Sequence, residues 1–296
     1  MKLARSASTV VLGLGILSAG CVVTVDSNSE ILRQEKRFTV DGRADVRLAT
    51  FDGSIEIQSW DKPDIVIEIE KRGPTRTAVE GIEITSTQKG NLIDLEVKRP
   101  RSESFSGIGL HRTVSARLIV HVPRETNIRA RSGDGSIRID RITGAIDLRT
   151  GDGSIRASEI SGELTLDTGD GSITVDGAEG TLSVDTGDGS VNVSGRLSGV
   201  RLHTGDGSVV YRAEPGSSMS EPWEVTTGDG SVSLYLPAGF GAELDAHTGD
   251  GTIRNELNVE AGDEEKPRRT LRGRLGAGGQ LLRVRTGDGG IRLKLN

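Results

Sequence analysis

Aromatic side chains are nearly missing from this 296-residue chain, which holds two tryptophans, two tyrosines and four phenylalanines. So few rings suit a thin core of Val, Ile, Leu, Ala and Thr, because two closely apposed strands leave little room for them. There is one cysteine, Cys21, so no disulfide can form within a chain, and backbone ladders and burial must hold the fold. The four histidines, His111, His121, His203 and His247, lack any metal-ligand spacing. No Gly-x-Ser-x-Gly elbow and no phosphate-binding loop occurs. Convincing amphipathic helical periodicity is absent too. Basic residues are outnumbered, 37 against 43 acidic, which disfavours nucleic acid as a partner. Arg268, Arg269, Arg272 and Arg274 do cluster, but with Glu264 and Glu265 nearby they read as a solvated face.

What is present is a repeat. Gly-Asp-Gly recurs at Asp134, Asp152, Asp170, Asp188, Asp206, Asp229, Asp250 and Asp288, and the first five copies share one period of about 18 residues. Aligned at the aspartate, the ungapped copies over 134–205 show four apolar columns. Ile137, Ile155, Ile173 and Val191 form the first, and Ile139, Ala157, Val175 and Val193 the second. The third is Ile146, Leu164, Leu182 and Val200; the fourth is Leu148, Leu166, Val184 and Leu202. Columns paired at a spacing of two mark strands, not helices. Each copy therefore supplies two short strands that cannot bury their faces alone, and stacking copies about 4.8 Å apart closes a core between them.

These features predict an all-β fold, a parallel β-solenoid of roughly 18-residue coils with an irregular β cap at the N-terminal end. In the Thr-Gly-Asp-Gly turn, glycine is expected to adopt positive φ and aspartate to bond its own following backbone. A looser second turn surrounds Gly144, Gly162, Gly180 and Gly199. Later copies carry insertions, after which Trp223 with Val225, Leu244 with Ala246, and Leu282 with Val284 return to the inward columns. The strand at 291–295 has cationic outward side chains, as an unpaired edge would. A degenerate copy surrounds Asp52, with Val46 and Leu48 before it and Ile55 and Ile57 after it.

The first residues carry Lys2 and Arg5, an apolar run over 10–17 too short to span a membrane, then Ser18-Ala19-Gly20-Cys21. That is the layout of an export signal. Leu17-Ser18-Ala19-Gly20-Cys21 resembles a bacterial lipoprotein signal, which implies diacylation of Cys21 and cleavage after Gly20. An ordinary secreted protein with a free thiol is the alternative. The organisation expected is a signal peptide over 1–20, a flexible tether over 21–36, a divergent β region over 37–130 and the repeat solenoid over 131–296. Disorder, which low hydrophobicity also permits, is confined to 22–35 and roughly 259–266.

The aspartate column has three readings: a structural turn, a divalent-ion ladder and a partner-binding stripe. Neighbouring carboxylates one strand spacing apart repel by roughly 0.9 kcal/mol in a water-like dielectric. Backbone N–H bonds to a carboxylate contribute about 1.5–3 kcal/mol, so the turn reading needs no metal. A Ca²⁺ ladder along Asp134, Asp152, Asp170, Asp188 and Asp206 would be chemically sensible, Ca²⁺ being oxygen-seeking. Arg138, Arg156, Arg254 and Arg292, each four residues after an aspartate, could pair with neighbouring carboxylates. A polysaccharide-cleaving enzyme would need paired acids around a groove and sugar platforms, for which Trp60, Trp223, Tyr211 and Tyr235 are the aromatics available.

The Thr-Gly-Asp-Gly-Ser-Ile/Val repeats, the opening Thr50-Phe51-Asp52-Gly53-Ser54-Ile55 with Ser59-Trp60-Asp61, and the closing Gly276-Ala277-Gly278-Gly279 to Leu293 resemble the bacterial putative-adhesin family of Gly-Asp β-strand repeats. The resemblance covers about 37–296. It implies an all-β repeat fold on the cell envelope and transfers no catalytic residue, because the family's function is unknown. The chain is thus expected to be exported and lipid-anchored at Cys21, in the outer membrane of a diderm host. It should be non-enzymatic, use no cofactor, and meet an unknown protein or glycan ligand, with loops at 212–222 and 255–281 as candidate contacts. An accessory role in envelope-stress signalling and a Ca²⁺-stabilised repeat protein are the other readings.

Overall fold

The computed structural model describes residues 22–26, 29–100, 114–260 and 269–296. Strands fill it, and one five-residue helix, α1 (Arg76–Glu80), interrupts them. The first part of the chain forms β1 (Val22–Asp26), β2 (Ser29–Thr39), β3 (Ala44–Thr50), β4 (Ile55–Trp60) and β5 (Asp64–Gly73). After the helix come β6 (Glu83–Lys89), β7 (Leu92–Lys98), β8 (Ser115–Pro123) and β9 (Thr126–Ser132). The regular repeats build β10 (Ile137–Asp140), β11 (Thr143–Thr150), β12 (Ile155–Ser158), β13 (Ser161–Thr168), β14 (Ile173–Thr186) and β15 (Val191–Thr204). Next are β16 (Val209–Ala213), β17 (Trp223–Thr227), β18 (Val232–Leu236), β19 (Ala242–Thr248) and β20 (Ile253–Asn255). The chain finishes with β21 (Val259–Glu260), β22 (Thr270–Leu275), β23 (Leu281–Thr286) and β24 (Ile291–Leu295).

Copies pair residue for residue with the next copy, in parallel. Ile137 faces Ile155, Ile155 faces Ile173 and Ile173 faces Val191. In the second ladder Ile146 faces Leu164, Leu164 faces Leu182 and Leu182 faces Val200. Register is fixed because a one-residue slip would turn every aliphatic side chain outward. All four expected columns are buried in one continuous core. Trp223, Val225, Leu244, Ala246, Leu282 and Val284 join it, as the column spacing predicts. Tyr211, Trp223 and Phe240 form a tilted aromatic stack where two insertions meet.

The two ladders are not separate everywhere. β14 and β15 each run 14 residues, pairing in one ladder with their first residues and in the other with their last. Elsewhere the second turn breaks the strand, with Arg141 (φ 57°) and Glu159 (φ 52°) in left-handed backbone. One repeat on, Gly177 (φ 67°) takes the same conformation without a Cβ penalty.

Spatial order departs from chain order at both ends. β3 and β4 lie between the β7/β8 coil and the β9/β10 coil. At the other end β23 pairs with β17 and β19, while β24 pairs with β18 and β20. The strand expected to be an edge is therefore an interior one, and its cations flank a paired ladder. Antiparallel strands close the stack: β5 covers β8, β6 covers β7, and β22 covers β19.

Two further expectations change. The tether over 21–36 is largely strand, since β1 pairs with β2 and β2 with β5. Gln34 and Lys36 make this segment polar enough to look disordered, but in register they lie opposite Ile69 and Ile67 of β5, with Phe38 opposite Ile65. The division at 131 is likewise no break, because β3 and β9 pair in the ladder that continues into β11.

Candidate binding surface

The Thr-Gly-Asp-Gly turns stack into a row whose spatial order is Asp52, Asp134, Asp152, Asp170, Asp188, Asp206, Asp229, Asp288 and Asp250. Backbone and threonine hold this row together. The first glycine N–H of a turn donates to the first glycine carbonyl of the preceding turn, as in Gly187 to Gly169 and Gly205 to Gly187, both 2.6 Å. Each threonine is buried and donates its hydroxyl to the same neighbour. Thr168 Oγ1 reaches the Gly151 and Gly153 carbonyls at 3.0 and 2.8 Å, and Thr204 Oγ1 reaches those of Gly187 and Gly189 at 3.2 and 2.8 Å. In several turns the threonine also accepts from its own third-position glycine, as Thr227 does from Gly230 N–H at 3.2 Å.

The reason for glycine is therefore proximity, not left-handed backbone. None of the Gly-Asp-Gly glycines adopts a left-handed φ. A Cβ on Gly189 would lie 2.0 Å from the Gly171 carbonyl oxygen, and one on Gly207 equally close to that of Gly189. The aspartates do not make the expected local bonds either. All eight Gly-Asp-Gly aspartates are exposed. Asp250 pairs with Arg269 at 3.2 Å; the carboxylates of the other seven have neither ion-pair nor hydrogen-bond partners among the described residues. At the degenerate copy, Asp52 pairs with Arg99.

The first-glycine carbonyls already accept both a backbone N–H and a threonine hydroxyl, so the oxygens of an ion ladder would have to come from the exposed carboxylates. Among the described residues no three His, Cys, Asp or Glu converge as a metal site.

Other expected groups are dispersed. Arg138, Arg156, Arg254 and Arg292 form no ion pairs among the described residues; they lie beside one another, Arg138 next to Arg156 and Arg254 next to Arg292. The arginines of the long insertion are engaged instead with β19: Arg272 with Asp245 at 3.2 Å and Arg274 with Glu243 at 3.4 Å. The candidate contact segment over 255–281 is thus partly cap strand. Arg268, Glu264, Glu265, His111 and Cys21 lie outside the described residues. His203 is exposed, and His247 Nδ1 sits 2.9 Å from Thr270 Oγ1.

Nor do the aromatics form open platforms. Trp223 and Tyr211 are buried. Trp60 stacks on His121 with 5.3 Å between ring centroids and carries Lys62 over its ring. Arg212 lies over Tyr235. A shallow groove of about 240 Å³ does cross the second ladder, lined by Asp45, Arg129, Asp147, Glu163 and Thr165 among others. Arg129 and Asp147 are paired there at 3.4 Å.

Electrostatic clamps sit at the two ends. Burial raises the Glu70 carboxyl, but Arg72 and Arg33 together outweigh it and hold the group below its ordinary value. Asp245 behaves alike, burial being outweighed by Arg285 and Arg272. Sequence reasoning missed the threonine role and both clamps. The invariable Thr or Ser before each turn was the available signal for the first; long-range pairing hid the second.

No curated protein sequence matches the chain. Among solved structures, a putative lipid binding protein from Parabacteroides distasonis is 14% identical, with a TM-score of 0.45, covering 90% of this chain and 97% of that one. A putative adhesin from Bacteroides fragilis is 13% identical at a TM-score of 0.42, covering 88% and 96%. A putative adhesin from Parabacteroides merdae is 11% identical at 0.42, covering 88% and 95%. The family described as Toastrack DUF4097 matches residues 44–294, so the chain, all-β and built of stacked turns, belongs to the Toastrack DUF4097 family.

Proposed function

We propose that this chain is a non-enzymatic display scaffold of the cell envelope, a parallel two-ladder solenoid anchored through lipid on Cys21. Its partner is a protein or glycan met at the surface. The reading is supported by one observation above all. The aspartate row is in register and exposed, and the carboxylates from Asp134 to Asp229 have no partner among the described residues. Residues that repeat on the surface without serving the fold are free for recognition. The loop over 214–222 borders the same stack and offers a second contact.

The test is binding of purified protein, beginning at Val22, to intact bacterial envelopes. We expect Asp152→Asn, Asp170→Asn and Asp188→Asn together to reduce retention at least about tenfold, a change of about 1.4 kcal/mol. Retention unchanged in that variant removes the row as the contact. Release of soluble sugars from envelope polysaccharide by the pure protein overturns the non-enzymatic reading.

A further inference from the structure

We infer that residues 281–296 act as a donor coil whose slot can be filled by the same segment of a second copy of this chain. The inference rests on topology alone and is independent of the adhesion reading. β23 and β24 enter between two coils that precede them in sequence, β17/β18 and β19/β20. Until they arrive, the edges of β17 and β18 facing the slot have no partner within the stack.

Contacts on the two sides of the slot use one code. On one side Thr286 Oγ1 donates to Gly230 O at 2.7 Å; on the other Thr248 Oγ1 donates to Gly289 O at 2.7 Å. Nothing in these contacts requires donor and slot to share a chain. The apolar partners are equally repeat-like, Val232 facing Ile291 and Leu234 facing Leu293.

The connection is a candidate hinge. β22 covers the outer side of β19, and β23 lies on its inner side, so the link must cross the start of β19. It does so through Gly276-Ala277-Gly278-Gly279-Gln280, with φ of 53°, 75° and 142° at its three glycines. The crossing is close, since a Cβ on Gly241 would lie 2.6 Å from Gly278 O. A link that spans its two sites favours closure within one chain, with an effective concentration in the millimolar range. One that cannot span them gives an effective concentration near zero. Tight hinges are where exchange of identical elements arises.

Deleting residues 276–279 tests this. Leu275 and Leu281 would then be joined through Gln280 alone, a reach of about 7.6 Å at most. The strands flanking β19 lie two spacings apart, about 9.6 Å. We expect the dimer fraction, measured by size-exclusion chromatography with light scattering, to rise about tenfold or more over the parent chain. A folded variant that stays as monomeric as the parent overturns the inference.

Should the deletion prevent folding, cysteine trapping in the full chain decides. Single variants Ser233→Cys and Arg292→Cys, both in a Cys21→Ser background, are mixed in mild urea, returned to buffer and oxidised. Ser233 and Arg292 are register partners on β18 and β24. Exchange yields their mixed disulfide dimer about tenfold above the yield for Arg138→Cys mixed with Arg292→Cys. Equal yields overturn the inference.

Discussion

At the residue scale, the turn assigns its labour in a way the repeat only half discloses. Aspartate is the most conspicuous letter of the motif, yet its carboxylate faces water while the buried threonine stitches each turn to its neighbour. Thr186→Val should therefore cost about 1–3 kcal/mol, the penalty for leaving buried carbonyls without their donor. Asp188→Asn, one turn position away, should stay within about 0.5 kcal/mol of the parent. Gly189→Ala should cost about 3 kcal/mol or more, because its new methyl meets the Gly171 carbonyl. Urea melts of the three variants check the ranking, and a larger loss for Asp188→Asn than for Thr186→Val would refute the assignment. The inward columns were legible because aliphatic alternation is a local signal. Which polar atom bonds which carbonyl was not, since the partner sits one rung away.

Pairing between elements adds a dependence on acidity. Glu70 lies in β5 between Arg33 of β2 and Arg72, and Asp245 lies in β19 between Arg272 of β22 and Arg285 of β23. Both carboxyls are held below their ordinary values, so each stabilises the folded state fully above its unfolded pKa. That contribution fades as pH falls through the folded value. The loss begins below 4.5 for Glu70 and below 3.8 for Asp245. Melting temperature should consequently drop between pH 5 and pH 3, a window bracketing those values, and the drop should shrink in the double variant Glu70→Gln, Asp245→Asn. An identical drop in that variant would show that other carboxylates control acid unfolding. The cap strands themselves were poorly legible. β2 reads as a charged, linker-like segment until its ten-residue pairing with β5 is seen, and antiparallel closure leaves no periodic trace.

Across the whole molecule, neighbour-to-neighbour contacts dominate the middle, where stability is close to a sum of coil and interface contributions. Removing one complete repeat, residues 152–169, should leave a folded, cooperative protein, because the flanking turns have the same register and the same threonine donors. Circular dichroism and urea melts check this; a molten or aggregated product would refute it. The repeat number could be counted from sequence, but the order of rungs could not. Insertions after Asp229 and Asp250 look like simple surface loops, and only pairing reveals that they let the chain bypass a place that β23 and β24 later take. Such intercalation at both ends has a consequence for growth. Duplicating a middle unit would lengthen the rack by about 4.8 Å while both closures stay intact, so the protein's reach is an adjustable dimension, set by copy number alone.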